Sequence, residues 1–361
     1  MSTDHTHAAS SPAPLRGVSY ALASAVLFGV TTPLAKVLLG TVDPVLLAGL
    51  FYLGSGLGLG LWILAGQRHG RAGAEAPVRR TELPWLAGAV LFGGVTGPVL
   101  LMLGLSTTPA SSASLLLNFE GVLTAALAWF AFKENYDARI VIGMLSITAG
   151  GIVLALSGPT ALALSPGALA IIGACLAWAL DNNLTRKISG SDPAQIACIK
   201  GLVAGVVNTG IGFLVTKHGL AWPQLALAAL VGFLGYGVSL ALFVLALRHI
   251  GAARTSAYFS LAPFIGAAVA IVALTEPVTG QFVVAGALMG TGLWLHLTER
   301  HEHEHVHESV YHEHAHVHDE HHQHEHAPTD PPGEPHSHPH HHAPMRHKHP
   351  HYPDIHHRHG H

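Results

Sequence analysis

The sequence predicts an all-α integral membrane protein with ten transmembrane helices, arranged as two inverted five-helix repeats and followed by a disordered, histidine-rich C-terminal tail. Three observations lead to this prediction. Half of the 361 residues are hydrophobic and only 11% are charged, and a mean hydropathy of +0.40 is too high for a water-soluble globule of this length. A stretch of the first half recurs in the second half, and 24 of the 30 histidines lie after Arg300.

Ten hydrophobic segments of spanning length follow a short polar lead-in at residues 1–14, which we expect to be disordered. A helix needs ~20 residues to cross a hydrocarbon core of ~30 Å. The many Gly and Ala residues in these segments allow membrane helices to pack closely. The predicted spans are residues 17–38, 45–65, 84–104, 112–132, 139–157, 167–185, 195–216, 224–246, 256–274 and 281–298.

Basic residues predict the orientation, because short loops rich in Lys and Arg stay in the cytoplasm. Such loops alternate along the chain with loops that contain almost no positive charge. Both termini are therefore expected in the cytoplasm, and the protein is expected in the cell (plasma) membrane as a multi-pass protein. The basic loops lie at residues 68–80, 133–139, 186–187 and 248–254.

The duplication is visible in one matching pair of segments. Residues 111–134 read SSASLLLNFEGVLTAALAWFAFKE, and residues 255–276 read TSAYFSLAPFIGAAVAIVALTE, so Glu276 stands where the first copy has Glu134. Five spans in each copy turn the second copy upside down, and the loop charges change sides accordingly. Inverted repeats are typical of transporters with a site near the bilayer midplane. We assign the repeats to residues 15–157 and 167–299.

Three short motifs also support a family resemblance. Lys36 ends the first span, LNFEGV leads to FKE at Glu134, and SLAPF leads to TEP at Glu276. On these motifs and the two repeats, residues 15–299 resemble the EamA-type branch of the drug/metabolite transporter superfamily. The resemblance implies ten helices, a central cavity that opens alternately to each side, and transport of small metabolites without ATP. It therefore implies a transporter and not an enzyme.

Glu120 is the leading candidate for a functional residue, because a carboxylate inside a span normally faces the bundle interior or an aqueous cavity. Either it binds the substrate or a coupling proton there, or it is a hydrogen-bonded packing residue. Its counterpart in the second repeat is Ala262, so the predicted site is asymmetric. The candidate cavity residues are Glu120, Asn118, Asp181, Asn182, Lys200 and Asn208.

Some of these candidates have a second interpretation. Residues 181–183, Asp-Asn-Asn, either end a short sixth helix or open that helix and present polar groups to the cavity. Lys200 either snorkels to the cytoplasmic face or pairs with Asp181. A separate set marks helix ends that repeat between the copies, and we interpret its members as structural: Lys36, Glu134 and Glu276.

The tail, residues 301–361, combines 24 histidines with 10 Asp+Glu and 3 Lys+Arg, and its low complexity predicts disorder. Neutral imidazoles are good ligands for Ni, Co, Zn and Cu, so the tail is expected to bind a divalent metal. The other interpretation is a cytoplasmic tether without a metal. Its HExxH matches follow from composition and do not indicate a peptidase. The candidate ligands are His301, His303, His305, His307, His312, His314, His316 and His318.

The leading hypothesis is secondary active transport of a small metabolite, outward and coupled to protons, with no required cofactor. An alternative with the same fold is export of a divalent transition metal with the help of the tail. A third hypothesis, of another class, is a membrane metal sensor that transports nothing. Expected partners are a small-molecule substrate and the lipid bilayer. Transition-metal ions and a homodimer stay open, and no nucleic acid is expected.

Overall fold

The structure, a computed structural model, describes residues 13–68, 77–132, 138–156, 165–188, 191–216 and 221–298, together with four short segments of the tail. Up to residue 298 its regular elements are helices. The α-helices are α1 (Ala13–Leu38), α2 (Pro44–Arg68), α3 (Leu83–Ala89), α4 (Gly97–Thr107), α5 (Ala110–Leu116), α6 (Phe119–Phe132), α7 (Ala138–Ala155), α8 (Pro166–Thr185), α9 (Pro193–Val215), α10 (Trp222–Gly232), α11 (Ser239–Phe259), α12 (Ala262–Ala273) and α13 (Gly280–Leu297). Two π-helices, π1 (Val90–Thr96) and π2 (Phe233–Val238), and two one-turn 3₁₀ helices, Arg80–Glu82 and Arg186–Ile188, complete them.

Eight helical stretches of the described chain are long and apolar enough to cross a membrane. They coincide closely with the first eight predicted spans. The ninth and tenth predicted spans coincide with two shorter apolar helices, Ala262–Ala273 and Gly280–Leu295, and remain predictions as membrane crossings. The eight stretches are Arg16–Leu38, Pro44–Gly66, Arg80–Thr107, Ala110–Leu127, Ala138–Ala155, Pro166–Thr185, Pro193–Val215 and Trp222–Ala246.

The bundle is apolar on its outside as well as in its interior. Leu214 is 89% exposed, Trp222 is 82% exposed and Val272 is 79% exposed, whereas Phe51 and Met289 are fully buried. Large apolar side chains exposed on most of the helices are unfavourable in water but favourable against lipid chains. The helices therefore form a membrane bundle.

Equivalent helices of the two repeats pack against each other in antiparallel pairs. Gly49 of α2 lies against Thr209 of α9, and Gly56, seven residues later, lies against Leu202. The partner numbers fall as the α2 numbers rise, so the two helices run in opposite directions. A Cβ at Gly56 would approach the backbone nitrogen of Leu202 to 2.5 Å, so the small residue is needed for this close crossing. Helices α7 and α13 cross in the same antiparallel way.

The two repeats interrupt their helices at matching places. The third span contains π1 between α3 and α4, and π2 follows α10 at the corresponding place in the second repeat. The fourth span breaks at Leu117-Asn118 between α5 and α6, and α11 and α12 are separated at Ser260-Leu261. Such π-segments and broken helices often lie at functional sites. In the first repeat, Asn118 lies in the break of the fourth span and Glu120 follows directly after it.

One predicted loop is wrong. Residues 248–254 were expected to connect the eighth and ninth spans, but α11 passes through them without a break. In the first repeat the corresponding connection contains Pro109, which has no amide hydrogen and precedes the start of α5. The second repeat has Gly251 at that position, so the backbone hydrogen bonds can continue.

The described parts of the tail are four short strands. Strand β1 (Glu302–His307) pairs antiparallel with β4 (Met345–Pro350), and β2 (Val310–His316) pairs with β3 (His336–His342). The prediction of disorder therefore differs from the structure over these four segments. Histidine at alternate positions has the period of two that a strand requires. His301 and His318 lie outside the described residues, and the other candidate ligands lie in β1 and β2.

Candidate functional site

Asp181 and Lys200 form an ion pair inside the bundle. The Nζ of Lys200 lies 2.7 Å from Oδ1 and 2.5 Å from Oδ2 of Asp181, and Thr185 donates its hydroxyl hydrogen to Oδ1 at 2.9 Å. The Asp181 side chain is 8% exposed and that of Lys200 is 17% exposed. Of the two interpretations of Lys200, pairing with Asp181 is therefore the one observed. Helix α8 continues past residues 181–183 to Thr185, so these residues do not open the helix.

The π-helix of the third span makes room for this pair. Gly93 lies against Asp181, and any Cβ at Gly93 would overlap the carboxylate. The carbonyl oxygen of Gly93 accepts hydrogen bonds from the hydroxyl of Tyr52 at 2.7 Å and from Nε1 of Trp178 at 3.0 Å. The Nδ2 group of Asn208 donates to the carbonyl of Gly94, the next residue, at 3.1 Å. Side chains from α2, α8 and α9 thus hold π1 through its carbonyl groups.

Glu120 lies in the first turn of α6, immediately after the break in the fourth span. Its Oε1 accepts a hydrogen bond from Nδ2 of Asn182 at 2.9 Å, and the same amide lies 3.3 Å from the hydroxyl of Thr124. Glu120 is half-buried and Asn182 is exposed. Among the described residues no Lys or Arg forms an ion pair with Glu120. Glu120 is therefore a carboxylate that is contacted by an amide and not by a cation.

An aromatic cluster connects the two π-helices. The ring of Tyr236, in π2, lies 5.4 Å from that of Tyr52, 5.7 Å from that of Phe28 and 6.0 Å from that of Phe51, measured between ring centroids. Tyr52 also donates its hydroxyl to π1, so one side chain touches both π-helices. The cluster thus joins aromatic side chains of both repeats, three from the first and one from the second.

The two repeats supply unlike residues to matching positions. The segment FGVTTPLAK at residues 28–36 matches WALDNNLTR at residues 178–186, so Thr31 corresponds to Asp181. Thr31 packs against Gly235 of π2 just as Asp181 packs against Gly93 of π1. The same backbone arrangement therefore carries a charge in only one of its two copies.

The structure brings four of the six candidate cavity residues together in one polar group. Asn182 of α8 contacts Glu120, and Asp181, the preceding residue of α8, contacts Lys200. Asn208 joins π1 instead. Asn118 is buried at the break and donates to the carbonyl of Leu115 at 2.8 Å, so it caps α5 locally.

Sequence reasoning missed three residues that complete the group, Tyr52, Trp178 and Tyr236. One signal was available. The glycine-rich segments VLFGGVT and FLGYGV occupy corresponding places in the two repeats, and glycines at matching positions indicate a close backbone approach.

Two of the three repeat-motif residues cap helices at one end of the bundle. The Nζ of Lys36 donates to the carbonyls of Leu105 at 2.6 Å and Thr108 at 2.9 Å, where α4 ends. Glu276 accepts hydrogen bonds from the amides of Ala110 and Ser111, where α5 begins. These contacts suit the partial charges of helix ends. Glu134 lies outside the described residues.

Comparisons with known proteins agree with this architecture. An uncharacterized transporter of Methanothermobacter thermautotrophicus is 27% identical over 289 residues, which cover 76% of this chain and 84% of the relative. A probable amino-acid metabolite efflux pump of Salmonella typhimurium is 27% identical over 208 residues, which cover 52% of this chain and 68% of the relative. One protein of known crystal structure shares the fold, with a TM-score of 0.57 and 21% identity over 79% of this chain and 95% of its own.

The family profile covers both repeats. The EamA-like transporter family matches residues 15–156 and again residues 165–298. The match thus spans the helix bundle, including Glu120, the ion pair and both π-helices. This chain belongs to the EamA-like transporter family.

Proposed function

We propose that the protein is a secondary transporter that exports a small metabolite across the plasma membrane by alternating access. In this proposal Glu120 binds the substrate or the coupling proton. The observation that supports it is the contact of Glu120 with Asn182 beside the Asp181–Lys200 pair. Glu120 belongs to the first repeat and the other three residues to the second, so the group lies where alternating access requires a site.

The charges of the group favour a proton or a positively charged substrate group at Glu120. Lys200 is bonded to both oxygens of Asp181, so these two charges compensate each other. Glu120 is contacted by an amide and, within the described chain, by no cation. An uncompensated carboxylate inside a membrane is costly and binds a proton or a cation readily. Competition between the two for Glu120 would couple substrate export to proton entry.

The orientation and direction of transport belong to the same proposal. The distribution of basic residues along the chain supports a cytoplasmic location for both termini and the tail. The Salmonella typhimurium relative is a probable amino-acid metabolite efflux pump, which supports outward transport and makes amino-acid-like compounds the first to screen.

Transport by purified protein in proteoliposomes tests the proposal. A metabolite panel is measured by mass spectrometry with and without an imposed pH gradient, and movement of at least one compound should depend on the gradient. Glu120→Gln removes the charge but keeps the shape, so it should abolish or uncouple this movement while the yield of folded protein stays the same.

The matched control is Glu82→Gln. The carboxylate of Glu82 accepts from the amide of Arg79 at 2.7 Å and from the hydroxyl of Ser191 at 2.8 Å, near the start of the third span and away from Glu120. This variant should transport like the parent. A Glu120→Gln protein that is lost to misfolding, with normal transport per folded molecule, would show that Glu120 is a packing residue.

A further inference from the structure

Glu276 links the two repeats at the end of the bundle near residues 106–110. Its Oε1 accepts the amide hydrogen of Ala110 at 2.7 Å, and its Oε2 accepts that of Ser111 at 2.8 Å. Both donors are the first residues of α5 in the first repeat, whereas Glu276 follows α12 in the second repeat. Hydrogen bonds to a carboxylate are about twice as strong as neutral ones. A side chain of one repeat therefore fixes a helix start in the other.

The residue before Glu276 is held in a strained conformation. Thr275 has φ of +52°, the one positive value among the described non-glycine residues. For a β-branched side chain this left-handed conformation is unfavourable, and it persists only where the surrounding structure imposes it. Thr275 directly precedes Glu276, so the two hydrogen bonds of Glu276 constrain the same turn of the chain.

The opposite side of the same connection is held by Lys36. Its ammonium contacts the carbonyls of Leu105 and Thr108 at the end of α4, whereas Glu276 contacts the amides at the start of α5. The connection between α4 and α5 is thus held from both sides by opposite charges.

Helix α5 joins this cap to the candidate site. It is only seven residues long and ends at Leu116, whose carbonyl lies 3.6 Å from Sγ of Cys175, a fully buried residue of α8. The chain then turns and enters α6, whose second residue is Glu120. A shift of the start of α5 would therefore move the break, expose Cys175 and displace Glu120.

We propose that Glu276 is a positioning residue of the transport cycle. Its cap on α5 holds Glu120 in place and closes the outer end of the bundle, and the cap opens when the site faces outward. The assignment of the outer end and the role of Glu120 rest on the proposed function. The cap itself is a property of the protein without substrate, so it can be tested without knowledge of the substrate.

The test uses Cys175 as a native reporter. Cys198 is the only other cysteine, so Cys198→Ala leaves Cys175 as the single thiol. The rate at which a membrane-impermeant maleimide labels Cys175 is measured in right-side-out and inside-out vesicles. Since a hydrogen bond to a charged group contributes about 1.5–3 kcal/mol, Glu276→Gln should raise the rate about tenfold or more in right-side-out vesicles. Glu276→Asp keeps the charge on a shorter side chain and should give an intermediate rate.

Thr279→Ala is the matched control. Thr279 lies three residues away, and its hydroxyl accepts from the amide of Phe282 at 3.1 Å, so it caps α13 within its own repeat. This variant should label like the parent. An unchanged rate in Glu276→Gln, or an equal increase in Thr279→Ala, would overturn the proposal, and an increase confined to inside-out vesicles would overturn the outward assignment.

If Glu276→Gln does not give a monodisperse protein, Glu276→Asp decides the question by the same comparison, and a parental rate overturns the proposal. A parental labelling rate in the Glu276 variants would contradict the role of Glu276 but not the transport role of Glu120. Normal transport by Glu120→Gln would contradict the transport role of Glu120 but would not change the labelling result.

Discussion

The ammonium group of Lys200 contacts both carboxylate oxygens of Asp181, at 2.7 Å and 2.5 Å, within a bundle of apolar helices. A buried ion pair contributes little net stability, because removing both charges from water costs about as much as their attraction returns. Each charge alone is nevertheless far less favourable there than the pair. The two residues should therefore behave as one unit.

A double-mutant cycle tests this unit. Asp181→Asn or Lys200→Gln leaves one uncompensated charge, and each should lower the free energy of unfolding by roughly 3–5 kcal/mol. In the double variant the free energy of unfolding should fall by clearly less than the sum of the two single decreases. Unfolding of the detergent-solubilised protein, followed by tryptophan fluorescence, measures these values. Strict additivity would mean that the pair is not coupled.

Gly93→Ala should disturb the same region through size alone. The new methyl group would overlap the Asp181 carboxylate and strain a π-helix that Tyr52 and Trp178 hold. Overpacking of this kind costs roughly 1–3 kcal/mol. The control is Gly121→Ala on α6, where a Cβ meets open space. A melting temperature that falls only in Gly93→Ala is the expected result, and equal effects would contradict it.

The distribution of basic residues predicts the topology, with the helical segment at residues 248–254 on the cytoplasmic side. A reporter fused after residue 105 should map to the outside, and one fused after residue 251 to the inside, because the second repeat is expected to enter the membrane upside down. Paired alkaline phosphatase and fluorescent-protein fusions measure this. Reporters that map to the same side would contradict the inverted arrangement.

Residues 301–361 should bind divalent transition metal and yet be dispensable for transport. Several of their 24 histidines can reach one ion, and the strand register places His312 opposite His340 and His314 opposite His338. Truncation after Arg300 should abolish nickel or zinc binding, measured by calorimetry, while metabolite transport continues. Loss of transport, or metal sensitivity of cells with the truncated protein, would favour metal export instead.

The metal affinity of the tail should fall with acid. Imidazole ordinarily protonates near pH ~6.5, and a protonated ring is no ligand. Metal added at pH 7.5 should therefore dissociate as the pH falls through about 6.5. The truncated protein is the control, and binding that persists at pH 5 would indicate carboxylate ligands in place of histidine.

Much of the fold was predictable from local patterns. Eight spans were placed within a few residues because length and hydropathy are properties of each segment alone. The prediction of a loop at residues 248–254 is wrong, because α11 continues through them. No proline interrupts the helix there, and the basic residues on which the prediction depended do not end a helix. In the tail, low complexity predicted disorder, whereas alternating histidines also satisfy the period of a strand.

The sequence by itself determined the membrane bundle, its duplication and the polar residues worth examining, because hydropathy and repetition are properties of the linear chain and a charge within an apolar segment is costly in lipid. It left open how those residues combine. Only the tertiary structure decided that Lys200 pairs with Asp181, that Tyr52 joins both π-helices, and that Glu276 caps a helix 165 residues away in sequence. Such contacts depend on which helix faces cross and at what height, and a pattern of single residues does not contain that geometry.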